Sequence, residues 1–129
     1  MIEGLALALT PTYMLWLTVG VLIGMVVGTL PGLTATMGTA LLVPFTFALE
    51  PGAGLAMLGG LYVCAMFSDA IPAVLVNTPG TPAAMATAFD GHPMTLQGRA
   101  QEAIVASCFS SALGTIFGAA CYLLLAWPM

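Results

Sequence analysis

The sequence predicts an all-α integral membrane protein with broken or re-entrant transmembrane helices, interrupted at Pro-Gly pairs. Of the 129 residues, 60% are hydrophobic and only 5% are charged, whereas a soluble domain carries about 25% charged residues. Apolar segments lie at about residues 13–30, 34–49, 53–78 and 102–127, with a polar loop at about residues 90–101. So apolar a surface is stable when lipid is the solvent. We therefore treat the whole chain as one transmembrane region in contact with the lipid bilayer.

The first two apolar segments differ in length and in their breaks. Thr10 and Pro11 form an N-cap and first-turn pair that favours a helix start, and Pro31-Gly32 ends that segment. The segment at 13–30 has close to the 20 residues or so that a bilayer-spanning helix needs. The segment at 34–49 is shorter and contains Pro44, so we expect this helix to kink or to end early.

The later segments suggest one helix in two pieces, then a short helix and a final span. We expect the helix that begins near residue 53 to run to about Phe67, break, and resume to Asn77. Thr81 and Pro82 form a second N-cap pair, which predicts a short helix through Phe89 followed by a turn at 90–93. The last span should reach Trp127, whose indole suits the membrane interface.

The charged residues are few enough to consider individually. The net charge of −4 excludes a basic surface for nucleic acid. The single Arg, Arg99, suggests that the loop at 90–101 is cytoplasmic. Asp69 alone lies inside a long apolar segment, and an acid in such a place is a functional candidate. It is the ion-coupling candidate; the alternative is an Asp69 that is merely solvated at the membrane surface.

The Pro-Gly breaks suggest a binding site for an anion. Irregular backbone at membrane depth is tolerated only inside protein or around a water-filled cavity, and secondary transporters bind substrates at such discontinuous helices. A helix N-terminus attracts anions through its free N–H groups, and no Lys or Arg occurs in the apolar segments. The polar side chains at the breaks can also offer oxygen to Na⁺. They are Thr34, Thr36, Asn77, Thr78 and Thr81. The alternative is that both breaks are ordinary loops.

A weak internal repeat links the two breaks. Residues 31–40 can be laid on residues 79–88, and six of the ten positions are identical. Alanine-rich sequence inflates such matches, so chance similarity stays the alternative to structural kinship.

No pattern indicates catalysis, a cofactor or a metal site. Cys64, Cys108 and Cys121 form no CxxC motif, and His92 has no neighbouring ligand cluster. Glycines spaced by four predict close helix packing. They are Gly20, Gly24 and Gly28 in the first segment, and Gly114 and Gly118 in the last.

Five blocks of sequence, in order, resemble the large membrane subunit (TctA-type) of the bacterial tripartite tricarboxylate transporters. They are GTLPGL at 28–33, LLVPFTF at 41–47, AVLVNTPGT at 73–81, ATAFDGHPM at 86–94 and QGRA at 97–100. The sequence departs from the family in two places. Ser68-Asp69-Ala70 stands where a Gly-Gly-Ser stretch is common, and His92 replaces an aromatic residue. Asp69 at that place puts the usual geometry and the substrate or ion preference in doubt.

The resemblance implies a multi-pass protein of the bacterial inner membrane that takes up tricarboxylates or related carboxylates. A Na⁺ or H⁺ gradient would drive uptake. The implied partners are a small membrane subunit and a periplasmic substrate-binding protein. By the family's motifs, the substrate-binding positions would be Pro31, Gly32, Asn77, Pro79 and Gly80.

The family's large subunit is a much longer chain with two related halves, and the resemblance covers only its beginning. We therefore expect this chain to be an N-terminal portion that works with the remainder of the subunit. Two alternatives are a membrane scaffold or assembly subunit that transports nothing, and an intramembrane enzyme using His92 or Asp69. The sequence specifies no reaction for the enzyme.

Overall fold

The computed structural model describes residues 10–126, which form six helices without a strand. The helices are α1 (Pro11–Thr29), α2 (Ala35–Thr46), α3 (Pro51–Ser68), α4 (Ala70–Val76), α5 (Pro82–Leu96) and α6 (Ala100–Ala126). Three stretches are long and apolar enough to cross a membrane, namely α1, α3 with α4, and α6. The all-α membrane fold is thus confirmed, while the expected end at Trp127 lies outside the described residues.

Helices α1 and α3 are parallel and pack with their backbones almost in contact. Gly20, Gly24 and Gly28 are buried and face Met57, Leu61 and Ala65 in the same order. A Cβ added to Gly24 would lie 2.4 Å from the carbonyl oxygen of Leu61, so only hydrogen fits there. The close packing predicted from the glycine spacing is confirmed for α1.

Helix α2 returns the chain towards the start of α1. It is antiparallel to α3, because Gly38 near its beginning faces Leu61 and Thr46 at its end faces Gly54. Its 12 residues rise about 18 Å, and it ends two residues after Pro44, in line with the expected early end. The return is fixed by the hydroxyl of Tyr13, which donates to Glu50 Oε1 at 3.2 Å.

The break expected in the third segment is slight. Asp69 lies between α3 and α4, but its φ and ψ angles are helical and its N–H donates to Ala65 O at 3.1 Å, so the two helices continue as one apolar stretch. Helix α4 ends at Val76. Its C-cap, Asn77, has a left-handed φ of 55°, and the N–H of Thr78 donates to Pro72 O at 3.3 Å. The chain then turns back beside α4, so that Thr81 N-caps α5 next to Asp69. The predicted start of α5 is therefore confirmed.

The turn predicted at 90–93 is wrong, and so is the first half of the predicted polar loop. Helix α5 continues through these residues to Leu96. Gly91 packs against Val74, which holds the segment on α4. Pro93 costs the helix only one late hydrogen bond because the helix ends soon after it.

The actual end of α5 is marked by Gly98, which has a φ of 78°. Its N–H donates to Thr95 O at 2.9 Å, and the N–H of Arg99 donates to Met94 O at 2.8 Å. This is the glycine-ended cap common at helix C-termini. Only residues 97–99 separate α5 from α6.

Helix α6 packs on α4 and α5 only near its beginning, where Ala103 is buried. Beyond residue 108 its large apolar side chains are exposed, as at Phe117 and Leu124. A Cβ on Gly114 or Gly118 would meet no atom within 4 Å among the described residues. Close packing at this second glycine motif therefore stays a prediction.

Candidate functional site

The two Pro-Gly breaks meet in the folded chain. We call residues 30–34 break 1 and residues 77–81 break 2. A Cβ added to Gly80 would lie 2.8 Å from the carbonyl oxygen of Leu33, so the two breaks are in backbone contact. Gly28 packs on Ser68 at the same level. The ends of α1 and α3 therefore lie close to the starts of α2 and α5.

Break 1 leads into a helix start that is capped by its own threonine. The Thr34 hydroxyl accepts from the N–H of Met37 at 3.1 Å. Among the described residues, the N–H groups of Ala35 and Thr36 have no hydrogen-bond partner, as is usual in a first helical turn. Pro31 and Gly32 are exposed, and Gly32 has a φ of 85°, which glycine adopts without strain.

Break 2 leads into a second threonine cap. The Thr81 hydroxyl accepts from the N–H of Ala84 at 3.3 Å, just as Thr34 does in break 1. The two caps lie 47 residues apart (81 − 34), one fewer than in the repeat alignment. Asn77 and Thr78 are exposed, and Pro79 is half-buried.

Asp69 lies against break 2 and is only 3% exposed. Its Oδ1 accepts from the N–H of Gly80 at 2.8 Å, and its Oδ2 accepts from the Thr81 hydroxyl at 2.6 Å. Within the described part of the chain Asp69 is thus buried in protein and not solvated. Sequence reasoning chose Asp69, Gly80 and Thr81 separately and did not predict that they bond. Ion coupling at Asp69 stays a prediction.

No basic side chain neutralises Asp69. The chain's one Lys or Arg is Arg99, and its guanidinium pairs with Glu102 at 2.6 Å. The hydrogen bond from Arg99 to Glu102 raises the pKa of Arg99 above its ordinary value. The Asp69 carboxylate instead faces the N-terminus of α5, where the helix dipole and oriented donors favour negative charge.

Comparison with known families decides what kind of protein this is. The model of the tripartite tricarboxylate transporter TctA family matches residues 14–129. The chain belongs to this family. The resemblance seen in the sequence blocks is thereby confirmed.

Two curated relatives of this TctA-family chain are much longer. An uncharacterized 52.8 kDa protein from the TAR-I ttuC′ 3′ region of Agrobacterium vitis is 42% identical over 95% of this chain and 24% of its own length. An uncharacterized protein of Methanocaldococcus jannaschii is 32% identical over 81% of this chain and 26% of its own length. The chain thus spans about a quarter of the relatives it matches. No solved structure matches it significantly.

In this TctA-family chain His92 takes a structural position. Its Nδ1 lies 3.2 Å from the carbonyl oxygen of Val74, which also accepts from the Thr95 hydroxyl at 2.9 Å. Both side chains satisfy a carbonyl in the last turn of α4, where helix geometry leaves carbonyls unpaired. Thr95 was not singled out from the sequence, because nothing local marks it.

The TctA-family chain also has a shallow groove beside the start of α5. It has a volume of about 240 Å³. The lining residues are Met66, Phe67, Ala70, Ala83, Ala84, Thr87, Ser107, Ser110 and Ser111. The described residues contain no group of three or more His, Cys, Asp or Glu side chains placed to hold a metal ion.

Proposed function

We propose that this chain is the N-terminal part of the large membrane subunit of a secondary active transporter for tricarboxylates or related organic carboxylates. Family membership supports the transporter class. The observation that carries the proposal is the contact between breaks 1 and 2, which brings two threonine-capped helix N-termini together. Such termini bind carboxylates without a basic residue, and the apolar segments contain none.

Break 1 offers the more accessible half of this site. Its candidate residues are Pro31, Gly32 and Thr34. Among the described residues the N–H of the exposed Thr36 has no partner, so it can donate to a carboxylate, whereas Ala35 is buried. At break 2 the candidates are Asn77, Thr78, Pro79, Gly80 and Thr81, of which Gly80 and Thr81 already donate to Asp69. A substrate carboxylate is therefore expected to bind first at break 1.

The rest of the proposal follows the family's organisation. The remainder of the large subunit completes the site, because transporter sites commonly form between two repeats. A small membrane subunit and a periplasmic substrate-binding protein take part, and a Na⁺ or H⁺ gradient across the bacterial inner membrane drives uptake. Asp69 is the candidate for the coupling ion.

Reconstitution tests the function directly. The complete large subunit and small subunit are placed in proteoliposomes with the binding protein, and uptake of labelled citrate, a dicarboxylate and a monocarboxylate is measured. A Na⁺ gradient, an H⁺ gradient and no gradient are compared. Gradient-dependent uptake of a carboxylate is expected. A stable assembly that takes up none under any gradient would favour the scaffold alternative.

A pair of threonine variants tests the place of the site. Thr34→Val removes the cap of α2 and should raise the KM for the transported carboxylate about tenfold, the effect of losing some 1.4 kcal/mol of binding. Thr18→Val is the matched control, because the Thr18 hydroxyl donates only to Met14 O on the exposed side of α1. Equal KM values for the two variants would remove break 1 from the site.

A further inference from the structure

Asp69 occupies the position that an anionic ligand takes at a helix N-terminus. Its two oxygens accept from a backbone N–H and from the N-cap hydroxyl at the start of α5, at 2.8 and 2.6 Å. Those are the kinds of donor that bind phosphates and carboxylates at the ends of helices. The side chain is 3% exposed, so both of its oxygens are satisfied by donors inside the protein.

The two helix starts therefore differ in one respect. Each follows a Pro-Gly break and each is capped by a threonine, but only the start of α5 is filled by a carboxylate of the protein. At the start of α2, the N–H of the exposed Thr36 is unoccupied among the described residues. The contact between Leu33 and Gly80 places the filled and the open position side by side.

We propose that Asp69 is a tethered carboxylate that competes with a substrate carboxylate for the Gly80 N–H and the Thr81 hydroxyl. The inference rests on the proposed function. The substrate it implies is an organic acid with at least two carboxylates, one bound at α2 and one at α5. The second binds when Asp69 is neutralised by the coupling ion, because a neutral carboxyl is a weaker acceptor than a carboxylate.

The competition predicts an effect that depends on the number of carboxylates in the substrate. Asp69→Asn keeps the side-chain size and a carbonyl oxygen for the Gly80 N–H but removes the negative charge. In the reconstituted transporter, KM for a tricarboxylate or dicarboxylate should fall about tenfold. The substrate no longer has to displace a charged carboxylate from the Gly80 N–H and the Thr81 hydroxyl. KM for a monocarboxylate should not change, because it needs only break 1.

Asp90→Asn is the matched control. It makes the same change of charge on an exposed residue of α5, and it should leave both KM values as in the native transporter. If Asp69→Asn behaves like Asp90→Asn or shifts the KM for all acids equally, the competition is contradicted. A native transporter without any carboxylate uptake would instead contradict the proposed function itself, and this inference with it.

A second pair of variants applies if Asp69→Asn does not accumulate in the membrane, or if it loses uptake of every acid because the coupling ion no longer binds. Thr81→Val removes one of the two shared donors, whereas Thr81→Ser keeps it. KM for the tricarboxylate should rise in the valine variant relative to the serine variant, with no difference for the monocarboxylate. Equal KM values for the tricarboxylate in the two variants would overturn the proposal.

Discussion

At Gly80 a hydrogen atom in place of a side chain allows the two breaks to touch. The nearest atoms to an added Cβ would be Leu33 O at 2.8 Å and Asp69 Oδ1 at 2.9 Å. Leu33 O belongs to the backbone, so it cannot swing aside as the end of a side chain can. The contact therefore depends on glycine at this position.

Replacing this glycine should separate the breaks. In the complete transporter, Gly80→Leu is expected to abolish carboxylate uptake while leaving membrane insertion intact, because no long helix contains residue 80. Gly59→Leu is the control, since an added Cβ there meets no described atom within 4 Å. Uptake and membrane content are measured for both variants. Normal uptake by the Gly80 variant would show that the contact between the breaks is dispensable.

The carbonyl of Val74 shows how a residue far along the chain fixes a helix end. Thr95→Val removes its shorter side-chain hydrogen bond and should lower the free energy of unfolding by about 1 kcal/mol. Thr115→Val is the control, because that hydroxyl donates to Ser111 O within exposed α6. Reversible unfolding in detergent provides the measurement. Equal effects of the two substitutions would mean that the Val74 contact adds nothing to stability.

Local signals predicted the residues of the site better than their partners. Thr81 was expected to cap a helix because an N-cap depends on the residues that directly follow it. Asp69 was chosen because it is charged in apolar sequence. That the two bond across 12 positions depends on the way in which residues 77–81 turn back, and no local pattern encodes that path.

Among the elements, the pair α1 and α3 depends most strictly on its sequence. Gly24→Leu would place a side chain where Leu61 O lies 2.4 Å from the Cβ position. We expect a loss of at least about 3 kcal/mol of stability, the upper part of the usual range for overpacking. The free energy of unfolding in detergent is measured for the 129-residue chain with Gly24→Leu and, as the control, with Gly114→Leu, where an added Cβ meets no described atom within 4 Å. Similar stabilities would indicate that α1 and α3 do not pack this closely.

Helix α5 shows where prediction of elements from sequence reaches its limit. Asp90-Gly91-His92-Pro93 has the composition of a turn, and it would be one in isolation. The packing of Gly91 on Val74, together with the bond from His92, keeps it helical. Gly98, which ends the helix, carries the usual sequence signal of a C-terminal glycine, and that signal was available beforehand.

For the whole molecule, the orientation in the membrane can be tested at one short loop, residues 97–99. A cysteine is introduced at Gln97 in a variant whose native cysteines, Cys64, Cys108 and Cys121, are replaced by alanine. An impermeant maleimide should label it from the cytoplasmic side, because this loop carries the chain's one Lys or Arg, Arg99. Gln97 is exposed. If the maleimide instead labels intact cells from the periplasmic side, the loop is periplasmic and the predicted orientation is wrong.

At the same scale, sequence patterns predicted the class of the molecule and its three long apolar stretches. They did not predict that α1 and α3 run parallel, because that arrangement depends on α2 returning the chain within residues 30–50. The exposed apolar face of α6 has no counterpart among the described residues. Such a face suits contact with the hydrocarbon of a bilayer, since α6 is long and apolar enough to cross one.

The backbone contact between α1 and α3 also constrains how the chain can be made. Among the described residues, the strip formed by Gly20, Gly24 and Gly28 packs against residues 57–68 of α3, and these leave the ribosome later. Until then the strip faces lipid, which cannot fill it as closely as a helix does. We therefore expect that a translational pause or a truncation before residue 57 leaves α1 in the membrane without its packing partner, in a form that quality-control proteases can recognise.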